Sequence, residues 1–343
     1  MMIEVSSMRG CWIAAYTIAC IFFLGGGGAT AQEALFESKP ITPEKFTKHI
    51  EGPAVDAEGN LFVPNFGVDG TIGKLPTGAT EFEGFTTLDP PPPPPPEKRR
   101  IGSGIRFDRQ GRMYIADFNQ HNIFMIEPGE RKPNPYFSPG SPNRFNQPND
   151  LAIAADGTLY ASDPQRKPLP GTGRIWRITR GPDGKGRGEV MTTTRPGNMG
   201  TTNGLDLSPD GKTLYVSESS TRQVWSYRLD GNRLADHKLV KQFEMGAESD
   251  VDGLRTDVDG RIFLARPAAG KITIITIIPG KVGKPGRTLL REVATVGIGP
   301  TNLTFGGPDG KTVFVTQTDG LLVEAFRTDR PGREPCLQAP AKC

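Results

Sequence analysis

Six glycines spaced roughly fifty residues apart constrain this chain more than any other feature. They are Gly59, Gly111, Gly157, Gly211, Gly260 and Gly310, at intervals of 52, 46, 54, 49 and 50 residues. Each closes a polar turn and leads into an apolar strand: Leu61-Phe62-Val63, Met113-Tyr114-Ile115, Leu159-Tyr160-Ala161, Leu214-Tyr215-Val216, Ile262-Phe263-Leu264 and Val313-Phe314-Val315. The stretch Thr201–Glu218 shows the unit in full. Leu205 and Leu207 alternate with polar residues, Ser208-Pro209-Asp210-Gly211 turns, and Leu214–Val216 returns. Glycine supplies the positive φ of the tight connection. One hairpin cannot bury its apolar faces alone, but paired strands repeated at this period bury them between neighbouring sheets. The pattern predicts an all-β fold, a six-bladed β-propeller over residues 46–330.

Eight residues before each turn glycine stand Glu51, Ser103, Asn149, Asn203, Asp252 and Asn302. Every one carries a side-chain oxygen. Equivalent positions of a propeller lie at one height around one axis, so these side chains form a ring at one end of the channel. The plainer reading is that polar residues simply begin the inner strands. Against it, turn positions ordinarily vary more than these six do. Glu51 and Asp252 are carboxylates, and Asn149 and Asn203 offer neutral carbonyl oxygens. Such an all-oxygen set suits a hard divalent cation, and two carboxylates balance its charge. The ring holds no cysteine and no histidine.

The two ends of the chain read differently from the repeat. Arg9, the apolar run from Cys11 to Leu24 and the small residues Ala29-Thr30-Ala31 form a secretory signal over 1–31, too short in its apolar core to span a bilayer. The alternative is an uncleaved anchor. Cleavage leaves a mature chain from Gln32, a periplasmic or secreted location, and no stable membrane insertion. An arm over 32–45 and a tail over 331–343 flank the propeller, and the tail is expected to lie outside the ring. Cys336 and Cys343 survive cleavage, and either pair in an oxidising compartment or stay free. The 41 Lys and Arg against 38 Asp and Glu are scattered, which excludes a nucleic-acid partner.

Blade six runs out after Phe326, and the apolar stretch Phe46–His49 has no blade of its own. The expectation is that this N-terminal strand closes the last blade, removing the open edge. Pro90 to Pro96 are seven consecutive prolines, stiff and unable to pair in a sheet, so they form a surface excursion between blades one and two. His121 and His237 fall in outer positions. His49 lies two residues before Glu51 and is read as structural.

Five motifs at blade spacing carry a resemblance: Glu51-Gly52-Pro53, Gln147-Pro148-Asn149-Asp150, Asn203-Gly204-Leu205-Asp206-Leu207-Ser208-Pro209-Asp210-Gly211, Asp252-Gly253-Leu254, and Thr301-Asn302-Leu303-Thr304-Phe305-Gly306-Gly307. Over about 46–328 the chain resembles the SMP-30/gluconolactonase family, six-bladed propeller lactonases that use a divalent metal. The resemblance implies Glu51, Asn203 and Asp252 as metal ligands and Asn149 as a ligand of metal or substrate. It also implies Asp252 as general base for water attack on the lactone carbonyl. Asn149, Ser103, Asn302 and Arg144 are the candidate substrate contacts. Gln147 stands where some sugar-lactonase members carry arginine, and Arg144 is nearby but offset. The expected cofactor is a divalent cation, calcium first, with Mg2+, Mn2+ or Zn2+ as alternatives. The expected function is an exported metal-dependent hydrolase that opens a small lactone or ester by metal-activated water attack. Two alternatives keep the fold: a binding or scaffolding propeller with a structural ion, or another ester or phosphotriester hydrolase. Open coordination positions favour an enzyme, because a structural ion is usually enclosed.

Overall fold

Six separate sheets account for the sixfold repeat. The computed structural model describes residues 34–342 apart from 44, 91–92, 142, 165–171, 196, 198, 245–250 and 281–285. The expected signal over 1–31 and Cys343 therefore lie outside the described residues. The first strands of the six blades are Ala54–Val55, Gly102–Phe107, Leu151–Ile153, Thr202–Leu207, Leu254–Thr256 and Pro300–Gly306. Each packs beside the first strand of the next blade, and the last returns to the first. They are thus the inner strands around one axis. The second strands run back antiparallel, and all six turn glycines between the two have positive φ, from 69° to 91°.

Alternation along each strand builds the core. In the second strand of blade three, Leu159 and Ala161 pack towards blade two, against Tyr114 and Ile123. Tyr160 between them packs towards blade four, against Leu205 and Val216. A strand buried on both faces this way is apolar at successive positions, here Leu159, Tyr160 and Ala161. Each fully buried Leu, Ile or Phe contributes about 1.5–3 kcal/mol of transfer free energy. Blade four carries one strand more than the pattern predicted, Thr192–Thr193, parallel to the start of Arg233–Gln242. The proline run leaves blade one after the buried Leu88 and Asp89 and enters blade two at Gly102, as expected of an excursion at the ring end.

Ring closure comes from the N-terminus, but from an earlier segment than expected. Lys39–Pro40 pairs with Leu322–Arg327 of blade six, through Lys39 opposite Ala325 and Pro40 opposite Glu324. The Phe36 N–H donates to the Arg327 carbonyl and the Ile41 N–H to the Val323 carbonyl. The arm over 32–45 is therefore part of the propeller. Proline is tolerated there because an outermost strand has one side that needs no donor. Phe46 still donates its N–H to the Leu321 carbonyl of blade six, but its ring packs against Phe66 and Phe82 of blade one, 5.5 and 5.1 Å away edge to face.

The tail also departs from expectation. After Pro331 and Gly332 the chain forms a short helix, Arg333–Gln338, across the end of the channel where the turn glycines lie. Val258 N–H donates to the Pro331 carbonyl, Gly332 N–H to the Gly310 carbonyl, and Arg109 Nε to the Leu337 carbonyl. Arg333, Glu334 and Pro335 are buried. The helix is a plug rather than a tail. Cys336 on it is disulfide-bonded, while its expected partner Cys343 lies outside the described residues.

Candidate active site

The opposite end of the channel carries the ring. In blades two, four and six the inner strand is irregular at the ring position, between Gly102 and Ile105, Thr202 and Leu205, and Pro300 and Asn302. Such bulges re-aim a side chain out of the pleat. In blades one, three and five the ring residue stands before the inner strand begins. Four ring residues are followed by glycine because the strands crowd together there. A Cβ on Gly52 would lie 2.6 Å from the Cα of Gly104, and one on Gly204 would lie 2.4 Å from the Leu254 nitrogen. One on Gly253 would lie 2.1 Å from Cγ of Asn302.

Two of the expected ligands, Asn149 and Asp252, are held by their backbone. Asn149 N–H donates to the Ser162 carbonyl at 2.9 Å, and Asn146 and Gln147 just before it donate to Oδ1 of Asp163. Asp252 N–H donates to Ala265, and its carbonyl accepts the Ser217 hydroxyl at 2.6 Å and the Gly204 N–H. Asn203 Nδ2 donates to Ser219 Oγ at 3.0 Å. That bond fixes which end of the amide is the oxygen. Asn203 Oδ1 and Asn149 Oδ1 are buried and, among the described residues, meet no hydrogen-bond donor. Buried oxygens left so are uncommon, and an ion is one of the groups that explains them. Glu51, half-buried, completes the set with Asp252. The donors are all oxygen, two charged and two neutral, which fits a hard divalent cation. Among the described residues no three His, Cys, Asp or Glu side chains converge on one point, so a cation site in this ring depends on the amide oxygens.

The candidate substrate contacts separate. Ser103 is buried in the ring on its bulge. Asn302 is fully buried and faces sideways, its Nδ2 3.1 Å from Glu51 Oε2 and 3.4 Å from Asp150 Oδ2. Arg144 is exposed on the segment leading to Asn149, its carbonyl accepting from Arg174. His49 is fixed outside the ring, Nδ1 3.0 Å from both carboxylate oxygens of Asp69.

Directly beneath the ring lies a cluster of buried charges that the sequence reading passed over. Asp150 occupies the place that glycine takes after four other ring residues. Its carboxylate meets Arg106 at 2.8 Å and Arg255 at 2.8 and 3.0 Å. Burial, with the negative charge of Glu51 adding to it, pushes the Asp150 carboxyl up to about 7 against the pull of Arg106. Asp206 in blade four accepts Thr256 N–H at 2.8 Å and pairs with Arg333 of the plug at 2.5 Å. Glu334 pairs with Arg106 at 2.8 Å. The signal for three of these was present: Arg106, Asp206 and Arg255 each stand three residues after a ring position, as lone charges on otherwise apolar inner strands.

Comparison with known proteins identifies the family. Residues 86–319 match the SMP-30/Gluconolactonase/LRE-like region. The chain belongs to this family. A gluconolactonase of Zymomonas mobilis is 28% identical over 248 residues, 65% of this chain and 63% of its own. A gluconolactonase structure from Xanthomonas campestris superposes with a TM-score of 0.66 at 19% identity, covering 86% of this chain and 89% of its own. A calcium-binding protein, regucalcin, from Agrobacterium tumefaciens superposes with a TM-score of 0.62 at 17% identity, covering 88% and 95%. The chain spans about half to two thirds of the length of the curated relatives it matches first.

Proposed function

We propose that this chain is a metal-dependent hydrolase that opens a small lactone at the ring end of its channel. The observation that carries the reading is the pair of buried amide oxygens on Asn149 and Asn203, without donors, in one ring with Glu51 and Asp252. The gluconolactonase of Zymomonas mobilis supports the substrate class, and the calcium-binding relative supports calcium as the ion. Glu51, Asn149, Asn203 and Asp252 would hold it. A divalent cation there supplies Lewis acidity towards an ester carbonyl and lowers the pKa of water.

The chain's own residues do the rest. Asp252, anchored by Ser217, Gly204 and Ala265, accepts the proton of the attacking water on its carboxylate. Asn302 donates to Glu51 and holds that carboxylate in place. Asn149 and Ser103 line the position a substrate reaches, and Arg144 stands exposed on the approach. The product is a hydroxy acid, so each turnover releases one proton at neutral pH.

That proton gives the test. A pH-stat panel of aldonolactones, simple alkyl lactones and a phosphotriester should show acid release with at least one lactone by the wild-type chain, and none with Asp252→Ala. Acid release from the phosphotriester alone, or equal release by the variant, contradicts the reading. Export is proposed from the apolar run Cys11–Leu24. Sequencing of the mature N-terminus should begin at Gln32, and a start at Met1 contradicts it.

A further inference from the structure

We infer that Glu334, on the C-terminal helix, is a positioning residue for the ring: through Arg106 and Asp150 it sets the charge beneath the ligands and so the affinity for a divalent cation. The inference rests on the metal reading proposed above.

The connection is continuous and buried. Glu334 meets Arg106 Nε at 2.8 Å, and Arg106 meets Asp150 at 2.8 Å. Asp150 is 3.4 Å from Asn302, which is 3.1 Å from Glu51. Arg106 and Asp150 are fully buried side chains, and Glu334 is 8% exposed. Charges so placed act across low dielectric and are little screened by salt. The two neighbours on the helix enter the cluster with opposite signs. Arg333 pairs with Asp206 and donates to the Ile153 carbonyl, while Glu334 pairs with Arg106.

The bookkeeping of charge is short. Arg106, Arg255 and Arg333 face Asp150, Asp206 and Glu334, three against three. A cation at the ring sits above this cluster. Neutralising Glu334 makes the cluster more positive by one charge, and neutralising Arg333 makes it more negative by one. An apolar helix of the same shape would seal the channel equally well, since buried ion pairs are poor stabilisers compared with apolar packing. A plug that only filled space would therefore affect cation binding in one direction, whichever residue was changed.

Isothermal titration of calcium into the full chain tests this, with circular dichroism confirming the fold of each variant. Glu334→Gln should weaken the affinity about tenfold and Arg333→Gln should tighten it several-fold. The double variant keeps the balance and should bind like wild type. Shifts of the same sign, no shift in a folded single variant, or a double variant as weak as Glu334→Gln overturn the inference. If Glu334→Gln fails to fold, Arg333→Gln decides alone: tighter binding supports, unchanged or weaker binding overturns. A wild-type chain that binds no calcium overturns the metal reading and this inference together. Wild-type binding with unmoved variants overturns this inference only.

Discussion

Asp252→Asn separates two roles proposed for one carboxylate. The amide keeps an oxygen donor and the shape of the side chain but loses the charge and the basicity. The variant should lose about 10²–10⁴-fold in kcat even at saturating calcium, the usual worth of a general base. Recovery of turnover as calcium is raised would leave Asp252 a ligand only. One residue on, Gly253→Ala tests the neighbour. Its methyl would fall 2.1–2.5 Å from the Asn302 carboxamide. Either Asn302 swings off Glu51 or the two inner strands part, so turnover should drop at least tenfold, roughly the effect of 1.4 kcal/mol. A Gly253→Ala enzyme with wild-type kinetics contradicts the assigned role of Asn302. The ring residues were legible because they keep one offset from a turn glycine. Arg106, Asp206 and Arg255 also keep one offset, three residues after a ring position, but a charge in a strand reads as a solvent-facing residue, and Asp150 carries no such signal. Only the three-dimensional ring shows that these strands have no solvent-facing side.

At the scale of elements, both ends of the chain are structural. A chain beginning at Phe46 loses the bonds of Phe36, Lys39 and Ile41 to blade six and bares a strand edge. At about 1 kcal/mol per bond, the loss of about 3 kcal/mol should lower Tm by roughly 6–12 °C. Unchanged melting would contradict closure by this segment. A chain ending at Arg330 leaves Arg106 without Glu334 and Asp206 without Arg333, all inside the protein. Breaking a buried pair costs about 3–5 kcal/mol, so this truncation should melt at least 10 °C lower or fail to fold. A melting point within a degree or two of wild type would return the segment to the status of a surface tail. Periodicity located the apolar second strand of every blade, but it failed at Lys39–Pro40 and Arg333–Gln338. Two residues of edge strand, one a proline, carry no alternation. A six-residue helix beginning Arg-Glu-Pro looks like solvated chain until its charges find partners contributed by three different blades.

Over the whole molecule, the closed ring gives a channel with unlike ends. One end is crossed by the C-terminal helix, and the other presents the oxygen ring. Among the described residues no helix is long and apolar enough to cross a membrane. The sixfold architecture was readable from glycine spacing alone, whereas the sealing of one end was not, since it depends on charge pairs between residues far apart in the chain, Arg333 with Asp206 and Glu334 with Arg106. We propose that the ring works only with a divalent cation on Glu51, Asn149, Asn203 and Asp252. The most direct measurement is acid release from gluconolactone in a pH-stat, before chelation, after it, and after calcium is returned, with circular dichroism in parallel. The account predicts that chelated protein stays folded, falls to the uncatalysed rate, and recovers with calcium. Full hydrolysis by folded, chelated protein would contradict it.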